Sequence, residues 1–311
     1  MRSSFALIAT AGIIALTLSG CASAPAPEAG SGDSSDAVTV KGDFGDTPRV
    51  TFPTPLEPDE TQCTEVIEGD GELLQEGQIV LLGASLFNGT TGESVQSVGY
   101  DGEPVPLAVG GDTLTAFTKG LSCAREGSRV VVVAPSEEAI RPSDDPTSAE
   151  GGDSVVAVFD VQRAFMPRAD GAVRLSRDGF PAVVLAPDGR PGITVPKAAP
   201  FETTQVEVLK EGSGEVVESG DAVVVHYTSV TWDESDVFDS TWEKGAPTIV
   251  TVTDGEGGQM PAGFSEAVIG QKVGSQVAVV VPPSAGFGDQ GNASVPAGST
   301  LFYVIDILGV I

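Results

Sequence analysis

Histidine is nearly absent from this chain, with one in 311 residues, and cysteine, tyrosine and tryptophan number three, three and two. No metal-binding or phosphate-binding motif occurs, so metal-dependent and nucleotide-dependent chemistry have no foothold, and neither a metal nor a cofactor is expected. Basic residues are also scarce: 16 Lys and Arg stand against 44 Asp and Glu, a formal charge of −28. That balance excludes nucleic acid as a partner, because phosphate binding needs clustered Lys and Arg, and it excludes direct attraction to anionic lipid headgroups. Acidic runs such as Glu57, Asp59 and Glu60, or Asp144 and Asp145, lack the spacing of a calcium loop and read as solvated loops. What is plentiful is valine, with 39 glycines and 22 prolines, a composition that favours strands and turns over long helices.

A basic start at Arg2 and an apolar core from Phe5 to Leu18 form a secretory signal, too short for a lasting membrane span. The small residues of Leu18-Ser19-Gly20-Cys21 resemble the lipobox of bacterial lipoproteins, which implies a lipid-modified Cys21 as the first mature residue. The alternative is an ordinary cleaved signal with an incidental cysteine. The Ala/Pro/Gly/Ser-rich stretch that follows reads as a disordered tether. Export leaves Cys63 and Cys123 as an even pair in a compartment where disulfides persist, the alternative being two separate buried thiols.

The chain repeats itself. Thr47-Pro48-Arg49-Val50-Thr51-Phe52-Pro53 parallels Arg190-Pro191-Gly192-Ile193-Thr194-Val195-Pro196, an offset of 143 residues from 47 to 190. Gly69, Gly71, Gly77 and Pro104 match Gly212, Gly214, Gly220 and Pro247 at the same offset, while Phe117 and Gly127 match Phe264 and Gly274 at 147. Two homologous units are the economical reading. In the second, apolar runs at 206–209, 222–230, 249–252, 276–281 and 301–310 are strand-length, and 261–269 reads as a helix with Pro261 at its start and Gly270 at its end. A curved antiparallel sheet wrapped around one short helix, made twice, is an α+β fold.

The second copy carries Val225-His226-Tyr227-Thr228, Phe238-Asp239-Ser240, Met260-Pro261 leading to Gly263-Phe264, Val273-Gly274, Ala285-Gly286-Phe287-Gly288 and Thr300-Leu301-Phe302-Tyr303. In that order these pieces resemble the FKBP-type peptidyl-prolyl cis-trans isomerases, and the resemblance runs from Thr203 to the C-terminus. It implies a pocket of Tyr227, Phe238, Asp239, Phe264, Phe287 and Tyr303 as catalytic residues, with Met260, Val295 and Trp242 touching substrate. Phe287 stands where the family often has tyrosine, which removes a hydroxyl that would hold a substrate carbonyl. Read singly, Tyr227 and Phe238 fit plain core residues of a sheet, and Asp239 fits a turn cap. Trp232 and Trp242 fall near the expected rim. His226, next to Tyr227 on a strand, should face the other way as a surface or inter-element residue.

In the first copy Tyr227 becomes Ala84, Phe238 becomes Val95 and Asp239 becomes Gln96, while Phe117 keeps the aromatic of Phe264. The organisation expected is a signal peptide at 1–20, a lipidated tether at 21–37, a degenerate FKBP-like domain at 38–165, a linker at 166–195 and an FKBP-type domain at 196–311. The function implied is a lipid-anchored, extracytoplasmic prolyl isomerase acting on proline-containing exported polypeptides, with macrolide binding as a family property. The alternative is a non-catalytic client-binding or chaperone lipoprotein.

Overall fold

The computed structural model describes residues 26–139, 152–254 and 259–311; the signal, Cys21, the start of the tether, and Asp144 and Asp145 lie outside the described residues. The first half contains α1 (Asp33–Asp36), β1 (Thr39–Lys41), β2 (Arg49–Thr51), β3 (Gln62–Ile67), β4 (Gln78–Asn88), β5 (Ser94–Val98), β6 (Val105–Val109), α2 (Thr115–Leu121), β7 (Arg129–Ala134), α3 (Ser136–Ala139) and β8 (Val155–Ala164). The second contains β9 (Ala172–Val173), β10 (Ala182–Leu185), β11 (Pro191–Thr194), β12 (Gln205–Glu211), β13 (Ala222–Thr231), β14 (Val237–Ser240), β15 (Thr248–Thr251), α4 (Ala262–Val268), β16 (Gln276–Val281) and β17 (Leu301–Val310).

The two halves build sheets of the same strand order, six strands in the first and seven in the second, where β9 is added antiparallel to β12. The first runs β3-β7-β8-β4-β5, with β6 also paired to β4; the second runs β12-β16-β17-β13-β14, with β15 paired to β13, and every pairing is antiparallel. Register shifts fall at Glu65/Ile67, Leu81/Leu82 and Leu86/Phe87 in the first sheet and at Val208/Lys210, Val224/Val225 and Ser229/Val230 in the second. Each pair is 143 residues apart, so even the bulges that bend the strands are repeated.

Both faces of each sheet are covered, which explains the unbroken valine runs. In β16, Val277, Val279 and Val281 pack toward α4 with Phe264, Ala267 and Val268, while Ala278 and Val280 face Phe180, Trp232 and Phe302. In β7, Val130 and Val132 pack with Leu121 of α2, and Val131 and Val133 face Val38 and Leu56. Alternate residues thus serve two cores. Gly263 lies at the helix–sheet contact, where an added Cβ would come within 2.6 Å of Val281.

Two expectations change. The segment read as a plain linker holds the hairpin β10–β11, whose Val183 and Ile193 pack on the second sheet beside Phe201. This hairpin repeats β1–β2: Val40 pairs with Val50, and 143 residues on Val183 pairs with Ile193. The end of the stretch read as a disordered tether is also ordered, because Gln62 Oε1 accepts hydrogen bonds from the amides of Ser34 and Ser35 and Ala29 is buried against the first core.

Cys63 and Cys123 are joined by a disulfide, with Cα atoms 6.5 Å apart, fastening β3 to the second residue past α2. The halves meet through Ile79, Leu81 and Phe165 packed on Val224 and Leu308. Arg163 Nη1 also donates to the Val310 carbonyl at 2.8 Å. Among the described residues no helix is long and apolar enough to cross a membrane.

Candidate active site

Five aromatic rings converge on the α4 side of the second sheet. Tyr227 projects from β13, Phe238 from β14, Tyr303 from β17, Phe264 from α4, and Phe287 from the segment that follows β16. Ring centroids lie 5.7 Å apart for Tyr227 and Phe264, 5.5 Å for Phe264 and Tyr303, 5.9 Å for Tyr303 and Phe238, and 6.5 Å for Phe238 and Phe287. These four pairs are edge-on, at 79° to 88°, the arrangement that aligns a ring's positive edge with its neighbour's negative face. Phe264 is fully buried, forming the floor, while Phe238, Phe287 and Met260 are half-buried. Val295 is buried in the same cluster.

One wall carries the charge. The Tyr227 hydroxyl donates to Asp239 Oδ2 at 2.6 Å, and Lys244 Nζ donates to Oδ1 at 2.5 Å. Burial pushes the Asp239 carboxyl up, but the hydrogen bonds from Lys244 and Tyr227 and the ammonium charge outweigh it and hold the group below the usual range. Tyr227 is pushed up, first by burial and then by its bond to the carboxylate, so it stays a proton-bearing donor. The Tyr303 hydroxyl makes no hydrogen bond to any described residue, although its side chain is almost wholly buried. Burial pushes it up as well, and the neighbouring Tyr227 and Asp239 add to the effect.

Lys244 was not anticipated. Its signal was a cation five positions after the key carboxylate, next to Gly245 in a short turn, within a lysine-poor chain. Trp242 does not join the ring cluster: it stacks on His226 at 4.0 Å and lines a cleft with Gly77, Met166 and Pro187. Trp232 is likewise away from the rim, buried on the hairpin face with its indole N–H donating to the Ala198 carbonyl. His226 faces away from Tyr227, as strand alternation requires. It is buried between the halves, with Nδ1 2.7 Å from Thr241 Oγ1, and burial pushes its pKa down to about 4 against a hydrogen bond with the Gly77 backbone.

The first half reaches the rim. The turn containing Gly111 lies against the turn that carries Lys244: a Cβ added to Gly111 would stand 3.0 Å from the Lys244 carbonyl, and one added to Gly245 would stand 3.4 Å from the Gly111 Cα. Both glycines have positive φ, 60° and 77°. The turn that presents Lys244 to Asp239 is therefore braced from across the seam.

Residues 214–308 match the family described as FKBP-type peptidyl-prolyl cis-trans isomerase. An FK506-binding protein of Streptomyces anulatus is 29% identical over 123 residues, covering 39% of this chain and 97% of that protein. FK506-binding protein 1 of Debaryomyces hansenii is 34% identical over 110 residues, covering 35% of this chain and 95% of that protein. The crystal structure of FkpA from Escherichia coli superposes with a TM-score of 0.32 at 24% identity, over 43% of this chain and about half, 52%, of that one. The family match and the two sequence relatives define the class of protein as a peptidyl-prolyl isomerase. The chain belongs to the FKBP-type family.

Proposed function

We propose that this protein is a two-domain lipoprotein whose second domain isomerises prolyl bonds of exported polypeptides at the extracytoplasmic membrane surface, anchored through Cys21. The observation that carries the catalytic part is the convergence of Tyr227, Phe238, Phe264, Phe287 and Tyr303 beside the Tyr227–Asp239–Lys244 wall. Membrane attachment rests on the apolar leader and the residues before Cys21.

An X-Pro bond turns slowly because its partial double-bond character sets a barrier of about 18–20 kcal/mol. Rotation needs no nucleophile and no proton transfer, only selective stabilisation of the twisted amide. Twisting removes charge separation, so an apolar ring-lined site disfavours the twisted form less than the planar one. Shortening a time of tens of seconds to milliseconds takes roughly 5–6 kcal/mol. The rings supply the dry surroundings, and the unpartnered Tyr303 hydroxyl is the donor aimed at a substrate carbonyl, in place of the hydroxyl missing at Phe287. A proline-mimicking macrolide would fill the same ring cluster.

The test is the cis-to-trans rate of a proline tetrapeptide with the mature chain. Acceleration that falls on Tyr227→Phe and on Asp239→Asn, and that a macrolide inhibits, is the expected result. A folded chain that leaves the rate at background would sink the proposal.

A further inference from the structure

The first half keeps a hollow where the second has its ring cluster. With Ala84 in the place of Tyr227, space opens above Phe117; Phe159, paired with Ala84 across the sheet, fills part of it, its ring 5.3 Å from Phe117. About 170 Å³ remains, walled by Leu82, Leu86, Val98 and Leu107, with Gln96 the single polar residue among those lining it. That volume is well below the roughly 300 Å³ at which small-molecule sites begin, and on the order of one large apolar side chain.

Leu107 and Phe117 also wall a second, larger cleft of about 500 Å³, whose opposite side is Tyr227, Thr241, Lys244 and Pro247. The two hollows therefore share a wall, and the larger one ends on Tyr227 and Lys244, which hold Asp239 at the ring cluster. A polypeptide with its proline among the rings and one flank laid along the larger cleft would pass this wall. We propose that the hollow of the first half is a subsite for the same client, taking one leucine- or phenylalanine-sized side chain from the segment that flanks the isomerised proline. This rests on the isomerase reading above. The occupant is a polypeptide because the hollow is too small for a drug-sized ligand, is almost wholly apolar, and shares a wall with a cleft that ends at a site whose substrate is itself a chain. Holding a second point of the client raises the local concentration of its proline at the rings.

The experiment uses the mature chain and a set of proline peptides of equal length in which one leucine is walked outward from the proline through an otherwise Gly/Ser sequence. In one register KM should fall about tenfold relative to the leucine-free peptide, the order expected for burying one leucine side chain. Ala84→Phe, which fills the hollow, and Leu107→Asp, which charges the shared wall, should each abolish that tenfold gain; the second variant stands if the first fails to fold. No gain in any register, or a gain that survives both substitutions, overturns the proposal. So does a dimer dissociated by Leu107→Asp with no peptide gain, which would assign the hollow to a second copy. The isomerase reading fails separately: if even the leucine-free peptide shows no acceleration, fluorescence titration of the labelled leucine peptides still reports whether the hollow binds, through the same loss of affinity in the two variants.

Discussion

In the first sheet Asp160 pairs across the strands with Arg129; in the second, Asp306 occupies the matching place and faces Gln276. Both carboxylates are buried. Asp160 receives Arg129 Nε at 2.5 Å and Nη2 at 2.6 Å, a two-pronged ion pair, and the guanidinium also ties down the carbonyls of Gly42, Asp43 and Asp46 near the β1–β2 hairpin. Among the described residues Asp306 accepts only from the Gln276 amide at 2.7 Å and the Ala169 N–H at 2.8 Å; burial pushes its pKa up against these bonds and the more distant charges of Lys210 and Arg168. One scaffold position thus meets the buried-acid problem in two ways, by a guanidinium in direct contact or by neutral donors with cations only at longer range. The pockets diverge in the same manner: identical bulges and strand order hold Tyr227, Asp239 and Phe264 in one copy and Ala84, Gln96 and Phe117 in the other. Backbone was kept while a handful of side chains decided which copy has an aromatic site.

The largest test of this contrast is Asp160→Asn, which strands a buried guanidinium and should cost about 3–5 kcal/mol in urea unfolding. Asp306→Asn, which strands no directly ion-paired cation, should be neutral or mildly stabilising at neutral pH. Equal losses from the two substitutions would break the distinction. Next comes the disulfide, found in the first copy alone among the described residues. Replacing Cys63 and Cys123 by serine should destabilise the chain by about 4 kcal/mol in the chain-entropy account of a loop of 60 residues, with calorimetry placing the loss in the first sheet's transition.

Acid provides a third comparison. His226 stands where the first copy has Gly83, and its folded pKa is depressed to about 4 from 6.5. Between those values the unfolded chain binds the proton and the folded one does not, so this contribution is whole above pH 6.5 and is lost as pH falls toward 4. The full loss is about 3 kcal/mol, and His226→Gln should flatten the profile. Asp306 works in the opposite sense: its raised folded pKa makes the native state hold a proton longer, so its contribution falls as pH rises from 3.8 through that value. The smallest expected effects are catalytic. Tyr227→Phe should lower kcat/KM about tenfold, the loss of one charge-assisted hydrogen bond. Tyr303→Phe should lower kcat several-fold with little change in stability, because that hydroxyl has no described partner to lose.

Much of the sheet was legible because valine runs bounded by glycines mark strands of the right length, and β16 and β17 were read at their observed limits. The hairpin β10–β11 escaped because Ala182-Val183-Val184-Leu185 and Pro191-Gly192-Ile193-Thr194 are short and sit in a Pro/Gly-rich stretch. The repeat itself held the correction, since its opening motif already matched β2 to β11. In the site, the rings could be read because each arrives on a strand or helix whose facing is set by periodicity. Trp242 and Lys244 could not, for both follow β14 in a turn where alternation ends, and only contacts across the seam decide which points inward.

Gly111 and Gly245, set back to back across that seam, carry a consequence for how the two halves can change. A methyl group on Gly111 would press on the Lys244 carbonyl, one on Gly245 would just touch the Gly111 main chain, and either would leave its own left-handed turn strained. Units joined by a tether alone can change independently; here a side chain added at Gly111, in the half without the aromatic site, meets the main chain of Lys244 in the half that has it. The two halves are therefore bound to a shared mutational history at this point of contact.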